Sequence, residues 1–530
     1  MGIWNYYFIA KLALFLGKYI GFHLWENLAF AALLLLPAKN AWARWLRRLT
    51  ALPAGVALLY YDSWLPPISR VMSQAANLES FSGAYLLELL GRFVNLQVLA
   101  AIAGLCLAAA LLGRRLRLSS FVVVAIVAMP TLGKLNDASS TAAAMTAAAP
   151  AQCDKPDAGA AAQSPMASHF DGGDLSAGLQ SFYNDESKRR VAFAKPAATP
   201  SFDVIVLHIC SLAWDDLAYL NDDPKLLKRF DVLFKNFNSA ASYSGPAAIR
   251  LLRGACGQQA HKGLYQPPQS QCGLFQGLAA AGLEPSLLLN HDGHFGDFLK
   301  DVQQSGGLNI APLGPLGAAV HQRSFDDTPI YDDYDLLNRW WQKRQSQPAA
   351  PQALYYNTIS LHDGNRLAGG KAVTNSLETF RPRVDKLLGD LDRFVTELEK
   401  SGRQAVVVFV PEHGAAIRGD AIQISGMREI PSPQITLVPV GVKFVGMKQP
   451  PASPLQITQP SSYLALSELL SRSVNQDPYA LPSVDLAGYV KDLPITEFVA
   501  ENEETAIVRT RAGYSMRTPD GAWMDFVQGK

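Results

Sequence analysis

The sequence is poor in cysteine and carries almost no net charge. Its five cysteines, Cys106, Cys153, Cys210, Cys256 and Cys272, are too few for a disulfide-built scaffold, and the odd number leaves at least one thiol over. Forty-seven basic residues stand against 46 acidic ones, so the charge balance implies no nucleic acid or other polyanion as partner. The first apolar run does not read as a cleavable signal peptide, because no small-residue cleavage site follows a short apolar core. Hydrophobic residues are concentrated in the first quarter, and the length allows more than one domain.

That quarter, residues 1–135, reads as a transmembrane helical region of about five segments: Trp4 to Phe22, Leu24 to Ala38, Leu49 to Leu65, Phe93 to Leu112 and Leu118 to Leu132. The fourth is long enough to span as a helix. The first, interrupted by Lys11 and Lys18, reads equally as an interfacial helix. Lys39, Arg44, Arg47 and Arg48 cluster after the second run, and Arg114, Arg115 and Arg117 before the fifth. Positive clusters stay on the cytoplasmic side, which puts everything after Leu132 outside the cytoplasm, in a bacterium in the periplasm.

Residues 136–200 are rich in Ala, Ser, Thr and Pro and read as a linker with one short helix around Leu175 to Arg190. Cys153 lies in this linker as a leftover thiol. From 201 to 495 the pattern is α/β. Buried strands are predicted at Asp203 to Ile209, Pro285 to Asn290, Ala353 to Thr358, Ala405 to Val410 and Val438 to Val445. Helical segments lie between them, most clearly Arg383 to Lys400. This alternation predicts a mostly parallel sheet covered by helices on both faces. Residues 496–530 read as a small antiparallel appendage with strands at Thr505 to Thr510, Ser515 to Thr518 and Trp523 to Val527.

Sites in such sheets form outside the carboxyl ends of the strands. Cys210 follows the first strand, with Ser211 and Asp215-Asp216 behind it. Glu412-His413-Gly414 follows the Val-rich strand, and His362-Asp363-Gly364-Asn365 follows another. A thiolate, a carboxylate and an imidazole with an open fourth position make a zinc-type donor set. Ser244 opens an amphipathic helix, where free N–H groups and the positive dipole end would hold a phosphoryl group. Gly245 is read as allowing a sharp turn and Pro246 as the first helical residue. Blander readings stand beside these: Ser244 as an N-cap, Cys210 as a buried core thiol, Glu412-His413 as a surface turn. On the sharper reading Ser244 is a nucleophile activated by zinc and His362 a general acid or base. Tyr243, Arg428 and Asn238 contact phosphoryl oxygens. His208 is read as packed rather than ligating, His291 and His294 as rim residues, and His261 and His321 as surface. In a periplasmic setting Cys256 and Cys272, which bracket a loop, are expected to pair; two separate buried thiols are the alternative.

Asn238 to Arg253, Leu361-His-Asp-Gly-Asn365 and Pro411-Glu-His-Gly414 resemble the alkaline-phosphatase superfamily and, more narrowly, the cellulose phosphoethanolamine transferases of bacterial cellulose secretion systems. The resemblance covers nearly the whole chain. It implies zinc held by Cys210, Ser244, Glu412 and His413, with Ser244 the nucleophile and Tyr243, His362 and Arg428 in the active site. It also implies Cys256–Cys272 pairing, a phosphatidylethanolamine donor and the glucose 6-hydroxyl of cellulose as acceptor. Related lipid A phosphoethanolamine transferases typically carry Thr as nucleophile, Asp-His in place of Glu412-His413 and an acidic ligand in place of Cys210. These departures favour the cellulose branch.

The expected protein is therefore a multi-pass inner-membrane enzyme with a periplasmic catalytic domain, acting beside cellulose synthase subunits. Its rivals are transfer to lipid A or another envelope glycan, and a membrane scaffold for the synthase. A sulfatase is disfavoured because Ser244-Gly-Pro-Ala-Ala248 lacks the Arg of Cys/Ser-x-Pro-x-Arg. The orientation is testable with reporters fused at Gly159. A periplasm-dependent reporter is expected to be active there, and activity of a cytoplasm-dependent one would contradict the assignment.

Overall fold

A computed structural model of the chain describes residues 2–17, 20–37, 40–63, 82–93, 96–112, 118–128, 168–196, 199–346, 350–369, 376–420, 422–479 and 485–527. It divides into two compact units, Met1–Glu79 with Leu86–Ser164, and Ser80–Tyr85 with Pro165–Lys530.

The first unit contains the helices Trp4–Leu16, Leu24–Leu35, Ala41–Asp62 and Leu96–Leu112 and a helical stretch at 118–128. Phe8, Leu12, Phe30, Leu34, Val122 and Ile126 form its core. Lys11, which interrupts the first apolar run, is buried with its ammonium 2.7 Å from Asp62 and 2.9 Å from the Asn27 side-chain oxygen. Pairing is what allows a charge inside an apolar helix. Arg44, Arg47 and Arg48, expected in a loop, lie on the helix Ala41–Asp62. Arg47 reaches back to donate to the Leu36 carbonyl at 2.9 Å, beyond the end of the preceding helix. The basic cluster Arg114, Arg115 and Arg117 lies outside the described residues, as does Cys153. Among the described residues no helix is long and apolar enough to cross a membrane. The fourth run, expected to span, is helical over the 17 residues Leu96–Leu112.

The second unit holds strands β1 (Asp203–Ile209), β2 (Val232–Asn238), β3 (Glu284–Leu289), β4 (Val320–Arg323), β5 (Pro329–Tyr331), β6 (Gln352–Thr358), β7 (Arg366–Leu367), β8 (Ala405–Pro411), β9 (Leu437–Val445), β10 (Leu455–Ile457), β11 (Val499–Glu501), β12 (Ala506–Thr510), β13 (Gly513–Arg517) and β14 (Trp523–Phe526). Among the described residues the main sheet runs β10-β2-β9-β8-β1-β6-β3. It is mostly parallel, but β9 lies antiparallel to both β2 and β8. Sequence patterning finds the apolar strands and misses β2, whose Lys235 and Asn236 interrupt the run, and the three-residue β10.

Alternate residues of β1 feed the two faces: Val204 and Val206 one core, Ile205, Leu207 and Ile209 the other. The first face is covered by the helices Ser244–Leu252, Leu274–Ala280 and Tyr463–Asn475, the second by Asp333–Gln345 and Phe380–Lys400. Burial on both faces explains why β1 and β8 are apolar throughout rather than alternating.

Residues 168–196, read as part of the linker, are folded. The helix Leu175–Glu186 is capped by Asp174 and packs Leu179 and Phe182, with Phe170, against Val499, Ala506 and Val508. The C-terminal sheet has order β11-β12-β13-β14; its first strand was not expected. Its opposite face, with Ala500, Ile507 and Met516, packs with Ile430 and Phe498.

Cys256 and Cys272 form a disulfide across a separation of 16 residues, and Cys272 is buried. Closing a loop of this size stabilises by about 3 kcal/mol in the chain-entropy picture. Replacing both cysteines by alanine is expected to lower the free energy of denaturant unfolding of the purified chain by roughly that amount. No loss would show that the bridge does not constrain the unfolded chain.

Candidate metal centre and nucleophile

The sheet's hydrogen-bond ladder continues past the strand ends and brings two loops together. Cys210 N donates to the Thr358 carbonyl at 3.0 Å, Glu412 N to the Ile209 carbonyl at 2.8 Å and Leu212 N to the His413 carbonyl at 2.7 Å. The loop after β8 is held from below by Asp216, whose buried carboxylate accepts from the N–H groups of Ala213 and Ala415, both at 2.8 Å. Gly414 is required because a Cβ there would stand 2.7 Å from the Ala213 Cβ and 2.9 Å from Asp216 Oδ2. Ser211, Ala240 and Ala416, one in each loop that shapes the site, have left-handed backbones with φ of 67°, 58° and 55°. Such conformations cost on the order of 1–3 kcal/mol each and persist only where the surroundings fix them.

The result is a buried triad of donors. One ligand atom each from Cys210, Glu412 and His413 lies within 4.8 Å of the others. The three side chains are wholly buried, so Glu412-His413 is not a surface turn. Consecutive residues converge because they lie beyond the regular strand. His413 Nδ1 donates to the Gly414 carbonyl at 2.8 Å, which turns the Nε2 lone pair toward Ser244. Glu412 is oriented by Asn357, whose amide donates to Oε1, while among the described residues Oε2 has no hydrogen-bond partner. Burial and the neighbouring Glu412 push the Cys210 thiol up to about 12, and burial also raises Glu412. Burial, then Arg428, holds His413 well down. A bound divalent cation would reverse the cost of ionising thiol and carboxylate together and would fill the gap at Glu412 Oε2. The residues fit a metal ion.

Ser244 is the first residue of its helix, and the N-cap is Tyr243. The capping alternative therefore fails: the Ser244 hydroxyl lies instead 3.5 Å from both Cys210 Sγ and His413 Nε2. Pro246 is the third helical residue rather than the first. Gly245 has no left-handed backbone to accommodate; its bare Cα gives clearance to Asp301, whose Oδ2 would stand 2.5 Å from a Cβ there.

Arg428 donates to Ser211 Oγ at 3.1 Å and lies 3.3 Å from His413 Nδ1. Its guanidinium sits 5.9 Å from the Tyr243 ring centre, and the Tyr243 hydroxyl donates to Glu429. His362 is half-buried, and its Nδ1 donates to the Asp363 carbonyl at 2.7 Å, which leaves the ring's lone pair on Nε2. Burial and the Arg428 charge hold it down to about 4. Asn238 is not available to a ligand: its amide donates to the Val499 carbonyl and accepts from Ala240 N, both at 2.9 Å. His208 is packed as expected, 2.8 Å from the Tyr355 hydroxyl. His291 bonds Asn357 at 2.8 Å beneath the site, and His294 is exposed. His261, read as surface, is buried, and His321 is half-buried.

Sequence reasoning missed Asn357 and Glu429. Asn357 was visible as an amide at the carboxyl end of β6, directly after the apolar and aromatic run Ala353 to Tyr356. Glu429 adjoins Arg428 and carries no pattern of its own. Two outcomes follow. Cys210→Ala is expected to retain the fold by circular dichroism and lose most bound divalent metal by elemental analysis; full occupancy would remove Cys210 from the ligand set. Asn357→Leu, which frees Glu412, is expected to weaken metal affinity roughly 10–100-fold in a chelator competition.

Residues 159–523 match the family described as cellulose biosynthesis protein BcsG C-terminal domain, and residues 4–131 its N-terminal domain. The chain is 41% identical to cellulose biosynthesis protein BcsG of Salmonella typhimurium over 547 residues, and 40% identical to that of Escherichia coli over 549 residues. Each alignment covers 99% of this chain and 96% of the relative. Solved structures with some likeness include lipooligosaccharide phosphoethanolamine transferase A of Neisseria meningitidis, with 14% identity and a TM-score of 0.40, covering 87% of this chain and 94% of that one. An alkaline phosphatase superfamily protein of Vibrio parahaemolyticus has 13% identity and a TM-score of 0.43, covering 68% and 89%. The chain belongs to the BcsG family of cellulose biosynthesis proteins.

Proposed function

We propose that this chain is a zinc-dependent phosphoethanolamine transferase of the bacterial inner membrane, with its catalytic domain in the periplasm. It moves phosphoethanolamine from phosphatidylethanolamine to the glucose 6-hydroxyl of nascent cellulose, beside the synthase subunits. The observation that carries the reading is the placement of Ser244: a hydroxyl at a helix N-terminus that does not cap the helix, 3.5 Å from a thiol and an imidazole that fit a metal. Cys210, Glu412 and His413 would hold the ion, and their mixed soft and hard donors suit zinc better than magnesium or calcium. Bound there, zinc would supply positive charge against the Ser244 oxygen and the phosphoryl oxygens.

The chain's own groups do the rest. Ser244 Oγ forms a bond to phosphorus as the diacylglycerol oxygen leaves with a proton. The phosphoethanolamine stays on Ser244 until a glucosyl hydroxyl displaces it and Ser244 regains its proton. His362 is neutral at pH 7, with an open Nε2 to take the acceptor's proton. Arg428 and the helix N-terminus offset phosphoryl charge, and Tyr243 lines the approach. A covalent relay suits a lipid donor and an insoluble polymer acceptor, which need never meet in one cleft.

Intact-mass analysis with phosphatidylethanolamine and no cellulose tests this. Wild-type protein is expected to carry one phosphoethanolamine on Ser244. Ser244→Ala should carry none and lose transfer on the order of 10³-fold or more. Normal transfer by Ser244→Ala, or an adduct elsewhere, would overturn the mechanism. His362→Gln is expected to slow transfer roughly 10²–10⁴-fold.

A further inference from the structure

Asp301 stands against the N-terminus of the nucleophile's helix. Its carboxylate oxygen lies where a Cβ on Gly245 would be 2.5 Å away, which puts it within about 4 Å of the Cα that follows Ser244. The position is fixed from the far side of the same turn. Asp301 opens the single π-turn Asp301–Ser305, and Arg253, at the other end of the helix, donates from Nε to the Ser305 carbonyl at 2.7 Å. Asp301 is half-buried, and among the described residues its carboxylate has no hydrogen bond or ion pair. The adjacent Lys300 turns instead to Asp297, at 3.4 Å. Burial, then the charge of Asp297, raises the Asp301 carboxyl to about 6, and the nearby Lys300 charge offsets only part of this.

A carboxylate here opposes the purpose of the site if the ligand is a plain phosphate. The helix N-terminus and Arg428 attract a phosphoryl anion to Ser244, while Asp301 repels it across the first turn. A zwitterion removes the conflict. An ethanolamine phosphate carries its ammonium only two carbons beyond the ester oxygen, so a phosphoryl group on Ser244 can present it to a carboxylate beside the next residue. A primary ammonium has three N–H donors for the carboxylate, and a quaternary one has none.

We infer that Asp301 is a specificity residue that binds the primary ammonium of the transferred phosphoethanolamine, with Gly245 keeping the space between it and Ser244 open. This rests on the transfer reaction proposed above. Any side chain at residue 245 would displace the Asp301 carboxylate from its present place.

The test compares two chromogenic diesters that differ in one group, p-nitrophenyl phosphoethanolamine and p-nitrophenyl 2-hydroxyethyl phosphate, on the full-length chain in detergent. Wild-type protein is expected to favour the ammonium ester in kcat/KM, chiefly through KM. Asp301→Asn should reduce that preference roughly tenfold or more, and Asp301→Glu should restore part of it. A carboxylate that merely stabilised the helix would affect both esters alike, so an unchanged ratio in Asp301→Asn would overturn the inference. Calorimetric binding of O-phosphoethanolamine and glycerol 3-phosphate to Ser244→Ala, with and without Asp301→Asn, separates this from the transfer reading. A preference for the amine that disappears with Asp301→Asn supports the inference even where no ester is turned over. Equal binding of the two ligands to Ser244→Ala contradicts it even where transfer is intact.

Discussion

Three ionisable side chains buried against one another set the terms for this structure. Cys210, Glu412 and His413 are fully enclosed, yet a thiol and a carboxyl so placed resist ionising, and among the described residues one Glu412 oxygen is left without a hydrogen-bond partner. A protein core does not keep such a cluster for stability alone, since apolar residues of similar volume would pack there at less cost. The arrangement becomes favourable with a cation among the three. The parallel pairing of β8 with β1, the ladder bonds beyond their ends and the buried Asp216 together hold the three donor atoms in place, as the proposed metal site requires.

The proposed transfer also needs a nucleophile beside that cluster, the role proposed for Ser244. Ser244 comes from β2, separated from β8 by the antiparallel β9. Its loop is braced from outside the main sheet. Asn238 is tied to the Val499 carbonyl, Glu501 N donates to the Ala240 carbonyl at 3.3 Å, and Asn502 and Thr505 both donate to the Glu429 carbonyl. The small C-terminal sheet thus supports the loop before Ser244 and the residue that binds Tyr243. One face of that sheet in turn rests on the helix Leu175–Glu186. Segments that read as linker and appendage hold the site's geometry.

How much of this was legible follows from where the signal lies. Strands buried on both faces announce themselves by composition, so β1, β6, β8 and β9 were readable, and with them the positions of Cys210 and Glu412-His413. The convergence of adjacent Glu and His was also readable, because it requires only that the pair leave the strand. Supporting contacts were not. Asn357 acts through a neighbour 55 residues away, Asn238 faces the C-terminal sheet rather than a ligand, and the carboxylate beside Gly245 arrives from residue 301. Local sequence carries no record of such partners. The helix at Leu175–Glu186 was readable within the Ala/Pro-rich stretch before β1, but its packing on the C-terminal sheet was not, since Phe170, Leu179 and Phe182 are too few to register as a period.

The account depends most on a metal bound through one sulfur. Zinc-edge X-ray absorption of the purified full-length chain measures that directly. One sulfur at about 2.3 Å with nitrogen or oxygen neighbours at about 2.0–2.2 Å is the predicted shell. Stoichiometric zinc with only nitrogen and oxygen neighbours, or with two or more sulfurs, would contradict it.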